Sequence, residues 1–477
     1  MNYSLLIRNA GVIDGTSAPR FAADIAVRSD RIAKIGALDG ATADIEIDAS
    51  GKTAAPGFID AHNHGDRLLL SAPDMAPYVS QGVTTVIAGS CGISLAPMPA
   101  GRKPEAVSPL DLLDDGGGWF RFPTFRAYVE ELKANPAATN CALMVGHSSL
   151  RVAEMDFLER PANAAEIGRM RARVREALNA GAAGVSTGVF YKPASAASTE
   201  ELIGICEPLG EHGGPCCAHI RDESDRVIES MEELFRVGRE VGAPVVISHH
   251  KVTGLANHGR SAETLGLIAR RMKSQAIALD CYPYPASSSI LTPGLVKTAS
   301  KTMITWSAPH PEFNCTDLDE AAARLGLEKD AAIEALCPAG AIYYSMDEAD
   351  VRRILAFEHT MIGSDGLPHD PAPHPRLWGA FARVLGRYSR EIGLFPLEDA
   401  IHKMTGLTAR NFRLKDRGAL QEGAFADITV FDPREVADSA TYVNPIQPAK
   451  GIDTVIVNGR IAWRNGKPGG ARSGRVL

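Results

Sequence analysis

His62 and His64 are the first residues in this chain whose types and spacing could do chemistry. They close the stretch Ala55-Pro56-Gly57-Phe58-Ile59-Asp60-Ala61-His62-Asn63-His64, which reads as a short buried strand. Side chains two apart on a strand share a face, so both imidazoles aim at one point and Asn63 turns away. A neutral imidazole is a good ligand for zinc and similar ions, and two side by side make half a metal site. Packing or solvation explains a bare His-x-His equally well, so other donors must decide. Cys91 follows the run Val83-Thr84-Thr85-Val86-Ile87-Ala88-Gly89-Ser90. His219 closes Cys216-Cys217-Ala218-His219, and His249-His250 follow Val245-Val246-Ile247-Ser248. Asp365 follows Met361-Ile362-Gly363-Ser364. A lone cysteine or histidine at a strand end is usually packing. Several such donors, each ending a separate strand, form a pattern: thiolate and imidazole hold a cation, and a carboxylate beside it moves protons.

Something must bring these strand ends together. Between about residues 59 and 407, short β-branched runs alternate with helical stretches, the signature of βα units and a parallel sheet. Eight candidate strands end near His64, Gly89, Gly146, Thr187, His219, His249, Asp280 and Asp365. The clearest helix spans about 164–180, where Ile167, Met170, Val174 and Leu178 recur at helical spacing; Asn163 or Ala164 starts it and Gly181 stops it. The fold class is therefore α/β, with eight units predicting a closed (β/α)8, TIM-like barrel whose site lies at the C-terminal ends of its strands. The span 59–407 exceeds the ~250 residues of a plain barrel. The excess falls at 95–123 and at 282–358. The first holds Gly116-Gly117-Gly118 and reads as a mobile active-site loop; without a following Lys-Ser/Thr it is not a phosphate loop. The second reads as a lid-like insertion.

Residues 1–58 carry short alternating runs, among them Asp24-Ile25-Ala26-Val27 and Ile45-Glu46-Ile47-Asp48, with turns at Asp14-Gly15, Asp39-Gly40 and Ser50-Gly51. They read as antiparallel β structure. Residues 408–477 read alike, with the strand Ala426-Asp427-Ile428-Thr429-Val430-Phe431 and a hairpin about Asn458-Gly459. Together the two termini are predicted to build one small, discontinuous β-sandwich.

At 45% hydrophobic and 22% charged, the 477 residues have the composition of an ordinary globular protein. A net charge of −7 without a basic cluster argues against nucleic acid or an anionic membrane as partner. The N-terminus lacks the pattern of a secretion signal, and no apolar run reaches the ~18 residues of a membrane span. Eight scattered cysteines then read as buried thiols or metal ligands, and the chain as cytoplasmic.

This order of features resembles the amidohydrolase superfamily: a sandwich from both termini, a barrel, His-x-His after strand one, a histidine after strands five and six, and an aspartate after strand eight. Gly423-Ala424-Phe425-Ala426-Asp427-Ile428-Thr429-Val430-Phe431-Asp432 is similar to that family's return strand. Many two-metal relatives bridge their ions with a carboxylated lysine after strand four. Here that strand reads Ala183-Gly184-Val185-Ser186-Thr187-Gly188, and Cys91, as a soft thiolate, is well placed to bridge instead. Gly89-Ser90-Cys91-Gly92, Val246-Ile247-Ser248-His249-His250-Lys251 and Gly363-Ser364-Asp365-Gly366 resemble the N-acyl-D-amino-acid deacylase group of that superfamily.

The resemblance implies zinc-dependent hydrolysis of N-acyl-D-amino acids, small molecules, to a carboxylate and a free D-amino acid. It implies a tightly held zinc on Cys91, His219 and His249, and a weaker second position on His62 and His64 with Cys91 shared. It selects His249 over His250, which spacing does not, and leaves His250 packed outside the barrel. Asp365 becomes the general acid/base. The substrate's α-carboxylate needs cations. Arg376, in Pro373-His374-Pro375-Arg376, offers a bidentate fork, Lys251 follows a ligand, and Tyr282 offers a hydroxyl just past strand seven. The resemblance adds Tyr191 and Ser288. Arg221, Asp222 and Glu223 support the ligands from behind or cap the next helix, and His147 fits site and scaffold alike. No arginine occurs from Met272 through Ala323, although Lys297 and Lys301 do, so apolar side chains such as those of D-leucine, D-methionine or an aromatic D-residue are expected. Three alternatives compete: an N-acyl-D-glutamate/aspartate deacylase, a hydantoinase-type cyclic-amide hydrolase and a catalytically dead scaffold. Cys91 and the missing lysine count against the second, and the full ligand set against the third.

Overall fold

The structure, a computed structural model, describes residues 2–99, 109–114 and 118–477. Eight parallel strands form its centre: Phe58–Asp60, Val83–Ala88, Asn140–Gly146, Gly184–Gly188, Cys216–His219, Val245–Ile247, Ile277–Cys281 and Thr360–Ile362. Each pairs with the next, and three main-chain bonds join the last to the first: Ala61 N–H to Ile362 O (3.1 Å), Asp365 N–H to His62 O (2.8 Å) and His64 N–H to Gly366 O (3.1 Å). The sheet thus closes into the expected barrel. Ile59, Ile87, Ala142, Met144, Cys217, Val246, Ala278 and Met361 fill its interior, with Phe412 and Leu414 packed beneath. Every strand residue is buried, which is why these runs are apolar almost throughout.

Helices cover the outside. The helix Ala164–Asn179 starts at Asn163, whose side chain accepts from Glu166 N–H while Glu166 accepts from Asn163 N–H. That reciprocal cap satisfies two donors that the first turn would otherwise leave free. Met170, Val174 and Leu178 are buried, as the helical spacing predicted, and Gly181 follows with φ +103°.

The two termini share one mixed sheet of nine strands. Its seam joins Thr53–Pro56 to Ile428–Phe431, antiparallel, and Leu5, Ile7, Val12, Ile25, Val430 and Ile456 share one core. The hairpin at Asn458-Gly459 forms with both residues at positive φ, the geometry of a two-residue turn between twisted strands. The expectation of purely antiparallel pairing needs correcting. Thr42–Asp48 and Thr53–Pro56 both run parallel to Asn2–Val12, so the link at 37–41 crosses over instead of turning back.

Between strands seven and eight lies a three-stranded antiparallel sheet of Ser287–Ile290, Ala339–Tyr343 and Thr302–Ser307. With the helices Leu318–Leu325 and Lys329–Leu336 it has its own core, including Ile304, Phe313, Ile333 and Leu336. Of the loop expected at 95–123, the Gly116-Gly117-Gly118 triplet lies almost wholly outside the described residues. No described helix is long and apolar enough to cross a membrane.

Candidate metal centre and active site

The barrel brings Cys91, His62, His219 and His249 to one point. Cys91 Sγ lies 3.3 Å from His62 Nε2, 3.7 Å from His219 Nδ1 and 3.2 Å from His249 Nε2, all within the buried interior. Strand five explains His219 simply: Cys217 faces the barrel interior and Cys216 the outer core, so His219 shares the inward face. Strand six does not. Val246 faces inward there, and strict alternation would turn His250 in and His249 out. The strand ends at Ile247, and His249 takes a left-handed backbone conformation (φ 37°) that swings its ring into the mouth. Cys91 (φ 51°) and Asp365 (φ 48°) are left-handed as well. Non-glycine residues adopt this region at a cost of ~1 kcal/mol or more, so the surrounding structure holds three site residues in strained positions. His62 and His64 also lie beyond the last strand residue, Asp60, where an isolated bridge between Asn63 and Gly366 keeps the chain extended. Their ring centroids are 5.6 Å apart.

Three overlapping donor sets result among the described residues, Cys91–His219–His249, His62–His64–Cys91 and His62–His249–Asp365, each with its atoms within 4.8 Å of one another. Tetrahedral zinc with Zn–S near 2.3 Å and Zn–N near 2.05 Å would set sulfur–nitrogen edges of about 3.6 Å. The observed 3.2–3.7 Å brackets that value. One thiol proton does not satisfy three imidazoles, and His64 Nδ1 and His219 Nε2 are buried without hydrogen-bond partners. Burial pushes the Cys91 thiol up, but the His249 and His62 rings pull it far below the usual thiol range. The residues therefore fit a soft divalent cation held by thiolate and imidazole.

Asp365 stands beside this cluster. Its Oδ1 lies 3.2 Å from His64 Nε2 and 3.6 Å from His62 Nε2, and its Oδ2 is 2.9 Å from Arg376 Nη2. Burial raises its pKa, but Arg376 and His249 hold it well below the carboxylate range, so it is ionised. Arg376 is itself buried, 4.5 Å over the Tyr282 ring, with Nε and Nη1 free of hydrogen bonds. A cavity of about 170 Å³ opens on these groups. Its walls include Cys91, His219, His249, His64, Asp365, Arg376, Lys251, Tyr282, Tyr191 and Ser288, so the predicted site residues other than His62 all line one chamber. Ile93, Leu112, Phe190, Leu295 and Leu367 supply its apolar wall.

Several finer readings resolve. Lys251 is engaged: its Nζ donates to Glu223 Oε1 (2.7 Å) and to His249 O (2.9 Å) and lies 2.7 Å from His249 Nδ1. Glu223 faces the ligands, with burial opposed by Lys251, His219 and His249, which hold it far below its ordinary value. Arg221 does not reach the chamber, and Asp222 lines it without contacting the ligands. Arg221 binds Glu233, and Asp222 accepts from Ser224 N–H at the helix approach. His250 packs outward, 2.9 Å from Thr264 Oγ1. His147 belongs to the scaffold, 2.9 Å from Glu201.

The sequence reading missed three carboxylates. Asp280 entered it only as a strand end, yet its Oδ1 accepts from His249 N–H (2.9 Å) and its Oδ2 lies 3.6 Å from His62 Nδ1. The rule that singled out the histidines, position at the C-terminal end of a barrel strand, marked it equally. Asp60 accepts from Ser364 N–H, tying strand one to strand eight, and burial pushes it up to about 7. Asp66 accepts from Gly89 N–H and is pushed by burial to about 6.

Comparison with known proteins agrees in family. The model described as "Amidohydrolase family" matches residues 46–280 and 310–462. The chain is 54% identical over 475 residues to a D-aminoacylase of Alcaligenes xylosoxydans xylosoxydans, covering 100% of this chain and 97% of that one. It is 50% identical over 473 residues to an N-acyl-D-aspartate deacylase of the same organism, covering 99% and 94%. Among solved structures, an N-acyl-D-glutamate deacylase from Bordetella bronchiseptica, complexed with zinc and a phosphonate mimic of the reaction's tetrahedral intermediate, matches with a TM-score of 0.96. That pair is 44% identical, with 100% of both chains covered.

Proposed function

The chain belongs to the amidohydrolase family, and from that premise we propose that it hydrolyses the amide bond of N-acyl-D-amino acids with the help of zinc, releasing a carboxylate and a free D-amino acid. The observation that carries this reading is the meeting of the Cys91 cluster, Asp365 and Arg376 in one enclosed chamber.

In this reading Cys91, His219 and His249 hold the tight cation, and His62 and His64, sharing Cys91, offer a weaker second position. The cation supplies Lewis acidity, polarising the acyl carbonyl and lowering the pKa of water. Asp365 begins ionised, takes the proton of the attacking water and delivers it to the departing amine. That delivery is what makes a poor leaving group leave. Arg376 fixes Asp365 through Nη2, and its unpartnered Nε and Nη1 remain as separate donors, one of them for the substrate's α-carboxylate. The hydroxyls of Tyr282, Tyr191 and Ser288 orient the substrate from the wall, where Lys251, its charge paired with Glu223, is a neighbouring wall residue.

Apolar D-side chains are the preferred substrates. Among the described wall residues the cations besides histidine are Arg376, assigned to the α-carboxylate, and Lys251, paired with Glu223, so an acidic side chain meets no spare charge. The chain divides into a sandwich domain of 1–58 and 408–477 and a catalytic barrel of 59–407 carrying the insertion 282–358. All eight cysteines are free thiols, in keeping with work in the cytoplasm.

The test is a panel of N-acetyl-D- and N-acetyl-L-amino acids assayed for released amine, with and without added zinc, beside a hydantoin ring-opening assay. D-leucine, D-methionine and D-phenylalanine derivatives should lead. Faster cleavage of L-substrates or faster ring opening overturns the reading, and faster cleavage of D-glutamate or D-aspartate derivatives overturns the apolar preference. Purified protein that contains and binds no zinc points to the scaffold instead.

A further inference from the structure

A ligand imidazole binds a cation through one ring nitrogen and carries its proton on the other, and the group that accepts that proton fixes the ring's tautomer and orientation. The acceptors behind this cluster are unevenly distributed. His249 turns Nε2 to the cluster and Nδ1 to a Lys251–Glu223 pair, 2.7 Å from Lys251 Nζ and 3.1 Å from Glu223 Oε1. His219 turns Nδ1 to the cluster and Nε2 to Glu223 Oε2, 3.7 Å away. One largely buried carboxylate thus lies behind both imidazoles of the tight position, one oxygen nearest each, in closer contact with His249 than with His219, whose Nε2 makes no hydrogen bond. Lys251 Nζ holds Oε1 in place.

The second position is served differently. His62 turns Nε2 to Cys91 and Nδ1 to Asp280 Oδ2, 3.6 Å away. That oxygen is buried and has no hydrogen-bond partner, an unsatisfied acceptor aimed at a ligand ring. Its sister Oδ1 is fixed by His249 N–H. His64 has no such support: its Nδ1 is buried without a partner.

We propose that Glu223 and Asp280 are positioning residues that set the affinities of the two metal positions separately, Glu223 acting on the Cys91–His219–His249 position and Asp280, through His62, on the other. The unequal backing, two imidazoles of two against one of two, is the physical source of the difference in affinity. This inference rests on the zinc-dependent reading above. The mechanism by which each variant acts is a change of tautomer. In Asp280→Asn the amide oxygen can keep the bond to His249 N–H, and the amide nitrogen then faces His62 Nδ1 as a donor. Nδ1 must accept, the proton moves to Nε2, and the ring loses the lone pair it offers the cation.

The experiment strips wild type, Glu223→Gln and Asp280→Asn with a chelator and titrates each with zinc against a chromophoric competitor, reading two dissociation constants. The expected result is a ~10–100-fold loss at the tight position in Glu223→Gln and a similar loss at the weaker position alone in Asp280→Asn, the other constant moving less than about threefold. Equal losses at both positions in both variants, or no loss in either, overturn the proposal. Wild type that binds no zinc sinks the functional reading itself, so the two failures are distinct. A variant that does not fold leaves a second measurement on the zinc-loaded wild type. Histidine-selective 15N spectra should place the proton of His62 and His249 on Nδ1 and that of His219 on Nε2. A proton on Nε2 of His62 overturns the role of Asp280, and one on Nδ1 of His219 that of Glu223.

Discussion

Two buried histidine–carboxylate clusters sit at the C-terminal ends of strands in this barrel, and they are built on opposite rules. In the cluster after strand three, His147 and Arg151 both bind Glu201, and all three side chains are fully buried. Arg151 gives its remaining donors to the carbonyls of Pro193, Leu158 and Arg160, and Glu201 takes Ala162 N–H. His147 Nδ1 alone among the ring and carboxylate atoms of this cluster lacks a partner; the others are spent on the protein. Around Cys91 the polar atoms instead converge on one point, and His64 Nδ1, His219 Nε2, Asp280 Oδ2 and two Arg376 nitrogens have no hydrogen-bond partner. A satisfied cluster holds loops together. An unsatisfied one, opening on a cavity, is arranged for something the chain itself does not contain.

The sharpest way to break that contrast is Asp365→Asn. The variant should keep its zinc and lose ~10²–10⁴-fold in kcat on an N-acetyl-D-amino acid, because the proton carrier is gone while the ligands remain. Turnover at the wild-type rate would remove the mouth's claim to be a site. The counterpart is Glu201→Gln. Removing one member of a buried charged set leaves Arg151 uncompensated and should cost about 3–5 kcal/mol in denaturant unfolding. Its zinc affinity and kcat should stay within a factor of two of wild type. A large loss of activity in the folded variant would mean that the two clusters are one.

The barrel was legible because its strands are buried on both faces and so stand out as apolar runs, and because the strand ends carry the donors. Asp365, His219 and Cys91 could be found from that alone. His249 could not, since its inward turn depends on one left-handed residue that no strand periodicity encodes. Asp280 and Glu223 escaped a definite role for another reason. Their work is done through side chains of other strands, and a carboxylate in sequence carries no sign of which histidine it will face. His147 was ambiguous for the same cause: only the saturation of its partners separates it from His219. The parallel pairing of Thr42–Asp48 was hidden because alternation reports a strand, not its direction.

A smaller effect separates the clusters by acidity. Burial pushes Glu201 up, and the bonds from His147 and Arg151 more than reverse it, leaving it at about 2 against an ordinary 4.5. A carboxylate whose folded value is depressed contributes stability that is present above the unfolded value and lost as pH falls through the folded one. The contribution of Glu201, up to about 3 kcal/mol, should therefore disappear between pH 4.5 and 2. Unfolding free energies of wild type and Glu201→Gln, measured across that window, should converge as the pH drops. A constant difference would mean that Glu201 is not ionised in the folded protein.

The smallest expected effect tests whether the sealed cluster is insulated from the mouth. Asn163 caps the helix Ala164–Asn179 next to Ala162, whose N–H binds Glu201. Asn163→Ala frees one helix donor and should cost about 1 kcal/mol. A route to the site does exist. Arg151 Nε holds Pro193 O, Pro193 lies in the short helix that begins after Tyr191, and the Tyr191 ring is 4.9 Å from that of His219. That path links the strap at 158–163 to Tyr191. The four bonds that hold Arg151 make the strap stiff, however, and the loss of one cap at its far end leaves all four in place. Unchanged KM and zinc affinity in a measurably less stable Asn163→Ala protein would confirm the insulation. A raised KM at constant zinc affinity would locate the coupling at Tyr191.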